Sequence, residues 1–146
     1  MPVLCDISLR NGTVYVPTIG KMDEGFYRGI EPVAAVAVQD THALREALTA
    51  TIARGNPVVP MLKRREWPPP VVLKYAEVKT WSAFERGMRL WGLEEKDTIF
   101  AIDTYAKSPN RMWVKIPERR IAFPPATPVN EVIDRMIAIL QDAART

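Results

Sequence analysis

The chain has 146 residues, 47% of them hydrophobic and 25% charged, which suits one domain with a core of its own and excludes wholesale disorder. One cysteine excludes an intramolecular disulfide and fits a reducing compartment. The net charge of +3 is local: residues 1–60 hold five Lys/Arg against six Asp/Glu, residues 61–92 seven against three, and residues 93–146 eight against eight. That excess in 61–92 suits an anionic surface but falls short of the footprint of a dedicated nucleic-acid protein. The N-terminal MPVLCDISLR lacks the basic and apolar regions of a signal peptide, and no stretch approaches the roughly 20 apolar residues of a membrane span. A cytoplasmic location with no membrane partner is the expectation.

Residues 3–17 predict a β-hairpin. Asn11-Gly12 is the preferred pair for a two-residue turn that needs φ > 0 at both positions. The implied register sets Leu9 beside Val14 and Ile7 beside Val16 on one face, with Arg10 opposite Thr13 and Ser8 opposite Tyr15 on the other. Pro17 is expected to end the second strand. Residues 18–31, with three glycines among charged residues, predict a surface loop, and their glycine spacing matches no phosphate or dinucleotide fingerprint.

Val33 to Val38 has the length and composition of a strand. Asp40 or Thr41 then caps a helix to about Arg54, with Leu44, Ala47, Leu48, Thr51 and Ile52 facing inward and Gly55 as its stop. Residues 56–70 are irregular and proline-rich. They contain Lys63-Arg64-Arg65 and then Trp67 before Pro68-Pro69-Pro70, which predicts an exposed, stiffened connection.

Val71 to Tyr75 predicts a strand. Trp81, Phe84, Met88 and Trp91 fall on one face of a following helix, with Ser82 and Glu85 as its capping box. Glu94 to Asp97 predicts a solvated turn, Thr98 to Tyr105 a strand, residues 112–116 another, and Arg119 to Phe123 a shorter one. The last element is a helix with Thr127 as N-cap, Pro128 at N1, and Val129, Val132, Ile133, Met136, Ile137 and Leu140 inward. The fold class is α+β: a single domain over 1–146, with a mixed, mostly antiparallel sheet packed by about three helices.

Candidate chemistry is sparse. His42 reads as a solvated residue at a helix start, and Cys5 as a buried, inert thiol. One cysteine and one histidine leave no Cys/His zinc site within a single chain. Asp103, inside an apolar strand, needs a partner or a route to water, as a structural pair or as the acid of a small enzyme. The basic run 63–65 with Trp67 and outward Arg86 and Arg89 suits an acidic protein surface, a nucleic acid strand stacking on Trp67, or simple solvation. No catalytic set, cofactor fingerprint or small-molecule site emerges, so a non-enzyme is expected.

The segment PPPVVLKYAEVKTWSAFERGMRLW, with the early GTVYVPTIG and the late PPATPVNEVIDRMIAIL, resembles immunity proteins of bacterial contact-dependent growth inhibition systems. The resemblance implies a small cytosolic protein that binds the toxin domain of its own system, a nuclease in many systems, and blocks it. It implies no particular contact residues. Charge places the candidate partner contacts at Asp23, Glu24, Tyr27 and Glu31 if the docking face is acidic. If the toxin offers an acidic surface instead, they fall at Lys63, Arg64, Arg65 and Trp67. A nucleic-acid-binding accessory role for residues 61–92 is the alternative.

Overall fold

The computed structural model describes residues 3–146. The expected hairpin forms: β1 (Val3–Arg10) and β2 (Thr13–Lys21) pair through Leu9↔Val14 and Ser8↔Tyr15, and Asn11 and Gly12 take φ of 51° and 78°. Pro17 does not end the second strand. The strand runs on to Lys21, and a register shift between Pro17 and Thr18 absorbs the imino acid, which cannot donate to the ladder.

The predicted loop 18–31 is also strand. β3 (Tyr27–Ala37) pairs with β2 along its whole length, with the tip closed by a short 3-10 turn over Asp23–Gly25. Gly20 and Gly29 sit within these strands because neighbours approach closely. A Cβ on Gly20 would lie 2.9 Å from Val59, and one on Gly29 would lie 3.3 Å from Val71. The strand expected at Val33 to Val38 is the second half of β3, with Val38 just beyond it.

α1 (Thr41–Arg54) matches expectation: the Asp40 carboxylate accepts from the Ala43 N–H at 3.1 Å, and Gly55 closes the C-terminus at φ 69°. The strand predicted at 71–75 is instead α2 (Leu73–Ala76), a single turn whose Tyr75 and Ala76 N–H groups donate to Val72. An apolar run this short fits either element. Pro70 and the left-handed Glu77 that flank it decide for a turn.

The long aromatic helix is likewise cut short. α3 (Trp81–Glu85) is capped by Thr80 Oγ1, not by Ser82, and the chain breaks at Gly87 (φ 75°) to enter β4 (Arg89–Lys96). Phe84 and Met88 therefore face one side of the sheet and Trp91 the other. The predicted turn at Glu94 to Asp97 begins one strand too early. Residues 94–96 belong to β4, and Asp97 and Thr98, both with positive φ, form the tight turn into β5 (Ile99–Lys107).

β6 (Trp113–Lys115) and β7 (Ile121–Ala122) pair with opposite ends of β5. In α4 (Val129–Ala144) the cap lies one residue later than expected, at Pro128, and the Thr127 hydroxyl donates to Pro124 O.

The strand order is β3-β2-β1-β4-β5-β6 with β7 beside β5, antiparallel throughout, so no parallel pair breaks the ladder between the named strands. α1 and α4 cover one face, over Ile7, Val14, Val16, Leu93 and Ile102. Gln141 Nε2 ties α4 to the start of α1 by donating to Val38 O and to Thr41 Oγ1. The opposite face carries a smaller layer of Tyr15, Val72, Leu73, Phe84 and Met88. Cys5 is buried in the first layer, and desolvation, with the Asp6 charge adding to it, pushes its thiol up to about 12.

Glu85, predicted to cap α3, instead reaches across to β5 and β6. It accepts from Trp113 Nε1 at 2.6 Å and from Lys107 Nζ at 3.2 Å. Burial alone pushes its pKa up. The two hydrogen bonds and the Lys107 charge outweigh that and hold it below 4.5. A carboxyl depressed in the folded state stabilises the fold above its unfolded pKa, and that contribution is lost as pH falls through the folded value. In urea titrations, wild type should exceed Glu85→Gln in stability at neutral pH, with the gap closing as the pH is lowered through the depressed carboxyl pKa. A gap that stays constant on acidification would remove this role.

Candidate functional site

The aromatic and basic residues singled out from the sequence lie where the 56–81 segment folds back across one end of the sheet. Asn56 starts that course: its side chain bonds Leu4 N and O and Ile19 O, and Pro57 and Val59 then hydrogen-bond to Lys21. Beyond this point the chain has no ladder to join. Lys63, Arg64 and Arg65 are all exposed on a 3-10 turn, where Glu66 accepts from the Lys63 N–H at 3.0 Å.

Trp67 follows directly, 44% exposed, with its indole N–H held by Leu62 O at 3.1 Å. Phe26, Val58, Met61, Tyr75 and Trp81 are exposed as well, so most of the large apolar side chains open to solvent come from this segment and the adjoining hairpin tip. Aromatic residues and arginine are the types enriched in protein interfaces.

Trp67 and Pro68–Pro70 stand against the first part of β3, where Arg28 and Gly29 share a hollow with them. A larger groove of about 580 Å³ continues from it between Arg28–Glu31 and the wall formed by Pro68–Val71, Lys74 and Lys79. Tyr27 is half-buried in β3 beside this groove. Glu31 is engaged within the chain: Lys74 forms an ion pair with it and the Tyr75 hydroxyl donates to it. Those hydrogen bonds lower the pKa of Glu31 and raise those of Lys74 and Tyr75.

Asp23 and Glu24 sit elsewhere, exposed at the β2–β3 tip in a shallow hollow with Val58. Among the described residues no hydrogen bond or ion pair joins them to Lys63, Arg64 or Arg65. Arg89, grouped with the basic run from sequence, belongs to the other side of the sheet. Its guanidinium lies over Trp91 at 5.6 Å and donates to Ala143 O at the end of α4. Arg86 is exposed just after α3.

Asp103 has the cation partners that a carboxylate in an apolar strand requires. It is buried on β5, Arg120 donates to both its oxygens at 2.9 and 2.7 Å, and Lys115 lies 3.4 Å away. His42 is exposed at the start of α1, 3.0 Å from Glu46. Arg28 was missed in the sequence because its glycine-flanked stretch reads as loop. The alternation of Arg28 and Ile30 with Tyr27 and Gly29 was the available signal.

This is an α+β protein with a seven-stranded antiparallel sheet, large helices on one face and a basic, aromatic segment across the other. No protein-family model matches the sequence, and no curated protein does. Among solved structures, the fold is similar to a protein of unknown function from Neisseria meningitidis, with a TM-score of 0.63 at 10% identity over 92% of this chain and 90% of that one. It is similar also to a chain of the CdiA-CT/CdiI toxin and immunity complex from Yersinia pseudotuberculosis, with a TM-score of 0.63 at 10% identity over 96% of this chain and 97% of that one. At such identity the likeness is one of fold. Among the described residues no helix is long and apolar enough to cross a membrane.

Proposed function

We propose that this chain is a non-catalytic immunity protein that binds the toxin domain of its own growth-inhibition system in the cytoplasm and blocks its active site. The observation that carries the reading is the fold likeness, spanning almost the whole of both chains, to a chain from a toxin and immunity complex. The sequence resemblance to immunity proteins supports the immunity side of that pair. In this reading the contact surface is the segment from Met61 to Trp81 with the start of β3, which supplies Tyr27, Glu31, Lys63, Arg64, Arg65 and Trp67; the hollow that Arg28 shares with Trp67 and Pro68–Pro70 supports it. The toxin is a nuclease in this reading, as in many systems of the kind.

Tagged protein should capture, one to one, the toxin domain encoded beside it, and should rescue cells that express that domain. Capture without rescue would remove the inhibitory role. If capture fails and the protein instead binds single-stranded nucleic acid with an affinity that falls steeply with salt, the basic segment serves nucleic acid and the immunity reading is wrong.

A further inference from the structure

We infer that the groove beside Arg28 receives an acidic side chain of a protein partner, with the Arg28 guanidinium as its anchor. The partner's identity as the toxin domain rests on the immunity reading; the chemistry of the groove does not. Arg28 Nε is buried with no acceptor, and its guanidinium forms no ion pair with any described residue. The half-buried Arg28 side chain lines the groove, so a carboxylate entering there meets a guanidinium with no competing acceptor.

Glu31, the carboxylate in the same groove, is engaged by Lys74 and Tyr75 and makes no ion pair with Arg28. Lys79, on the opposite wall, has no ion pair among the described residues either. Arg28, Lys74 and Lys79 against Glu31 leave the groove with two uncompensated positive charges.

The walls suit a side chain more than a polyanion. Pro68–Pro70 are rigid and apolar, so a carboxylate entering beside them is partly desolvated and meets a fork that matches it in two hydrogen bonds. Little ordering cost is added, since proline walls and strand backbone are already fixed. An apolar residue next to the partner's carboxylate would lie on the exposed face of Trp67. Glu31 in the same groove opposes a strand of successive phosphates more than it opposes a single carboxylate that need only reach Arg28. On this inference the partner brings the acid, the second of the two charge arrangements open from the sequence.

The test has two parts. In isotope-labelled protein, the Arg28 Nε–Hε resonance should shift on titration with a blocked hexaglutamate peptide, and shift less with an oligothymidylate of equal charge. A larger response to the oligothymidylate, or none to either, overturns the inference. With the toxin domain, Arg28→Glu should weaken binding by roughly 100-fold or more and Lys79→Glu by about 10-fold, while Arg135→Glu on the exposed side of α4 leaves it unchanged. Circular dichroism of each variant should match wild type. Full affinity in Arg28→Glu would overturn the inference and leave the immunity reading standing. A shift with hexaglutamate but no toxin binding by wild type would leave the groove assignment and remove the immunity reading.

Discussion

Truncation of Phe84 to alanine is expected to destabilise the protein by about 3–5 kcal/mol, the cost of deleting a fully buried aromatic side chain and leaving its cavity. Phe84 has no solvent exposure and holds the smaller layer together. Tyr15 meets it edge-on with ring centroids 5.4 Å apart, Trp81 stacks at 5.3 Å, and the Arg10 guanidinium lies 5.9 Å above its ring. Those geometries are attractive beyond area burial, so Phe84→Leu should recover part of the loss but not all of it. The effect should also be uneven. α1 and α4 pack on the other face, and their amides should keep most of their exchange protection relative to global stability, while residues 71–88 lose theirs first. Uniform loss of protection across both faces would show that the two layers unfold as one unit.

Arg120→Ala should cost about 3 kcal/mol, because it removes the two-bond partner of a buried carboxylate and leaves it Lys115 alone. Asp103 has 5% of its side chain exposed, and after the substitution only Lys115, 3.4 Å away, faces it. The reverse change should be milder: Asp103→Asn keeps the volume, and Arg120, half open to solvent, keeps Glu94 at 2.7 Å, so about 1–2 kcal/mol is expected. The asymmetry follows from which charge is stranded without water. Urea titrations should show both losses as a shift of midpoint with little change in slope. If Arg120→Ala is no worse than Asp103→Asn, Lys115 is a sufficient partner and Arg120 only caps the network. Arg120 also joins the short strand β7 to β4 and β5, so its removal should loosen residues 117–123 first.

These two residues differ in how visible they were beforehand. Asp103 stood out because a carboxylate in an apolar strand demands a partner, and the demand was right. Which cation answered it was not readable, since Arg119 and Arg120 are adjacent and 16 to 17 residues away in an irregular stretch. Phe84 was placed correctly in a buried stripe on a helix, but that helix ends at Glu85, and Trp91 belongs to β4. Its i, i+3, i+7 spacing with Trp81, Met88 and Trp91 is helical on paper. The chain satisfies the same apolar residues by a short helix and a strand, because both faces of the sheet are covered.

The surface proposed for binding was legible only in its parts. Lys63, Arg64, Arg65 and Trp67 were visible as an exposed basic and aromatic run, since the prolines around them interrupt any regular element. Arg28 was not, because its orphaned guanidinium is a property of the folded chain.

What the sequence by itself determined are the features that rest on local chemistry. The Asn11-Gly12 turn, the Asp40 and Gly55 ends of α1, and the apolar stripe of α4 each follow from one backbone requirement or one unbroken period. Tertiary structure alone decided the rest. Residues 18–31 became strand because β3 finds β2, residues 71–91 divided because Gly87 lets the chain turn and each piece has its own layer, and Arg28 and the three prolines met across a groove. Short segments carry too little local preference to choose for themselves, so the free energy of packing against distant residues makes the choice.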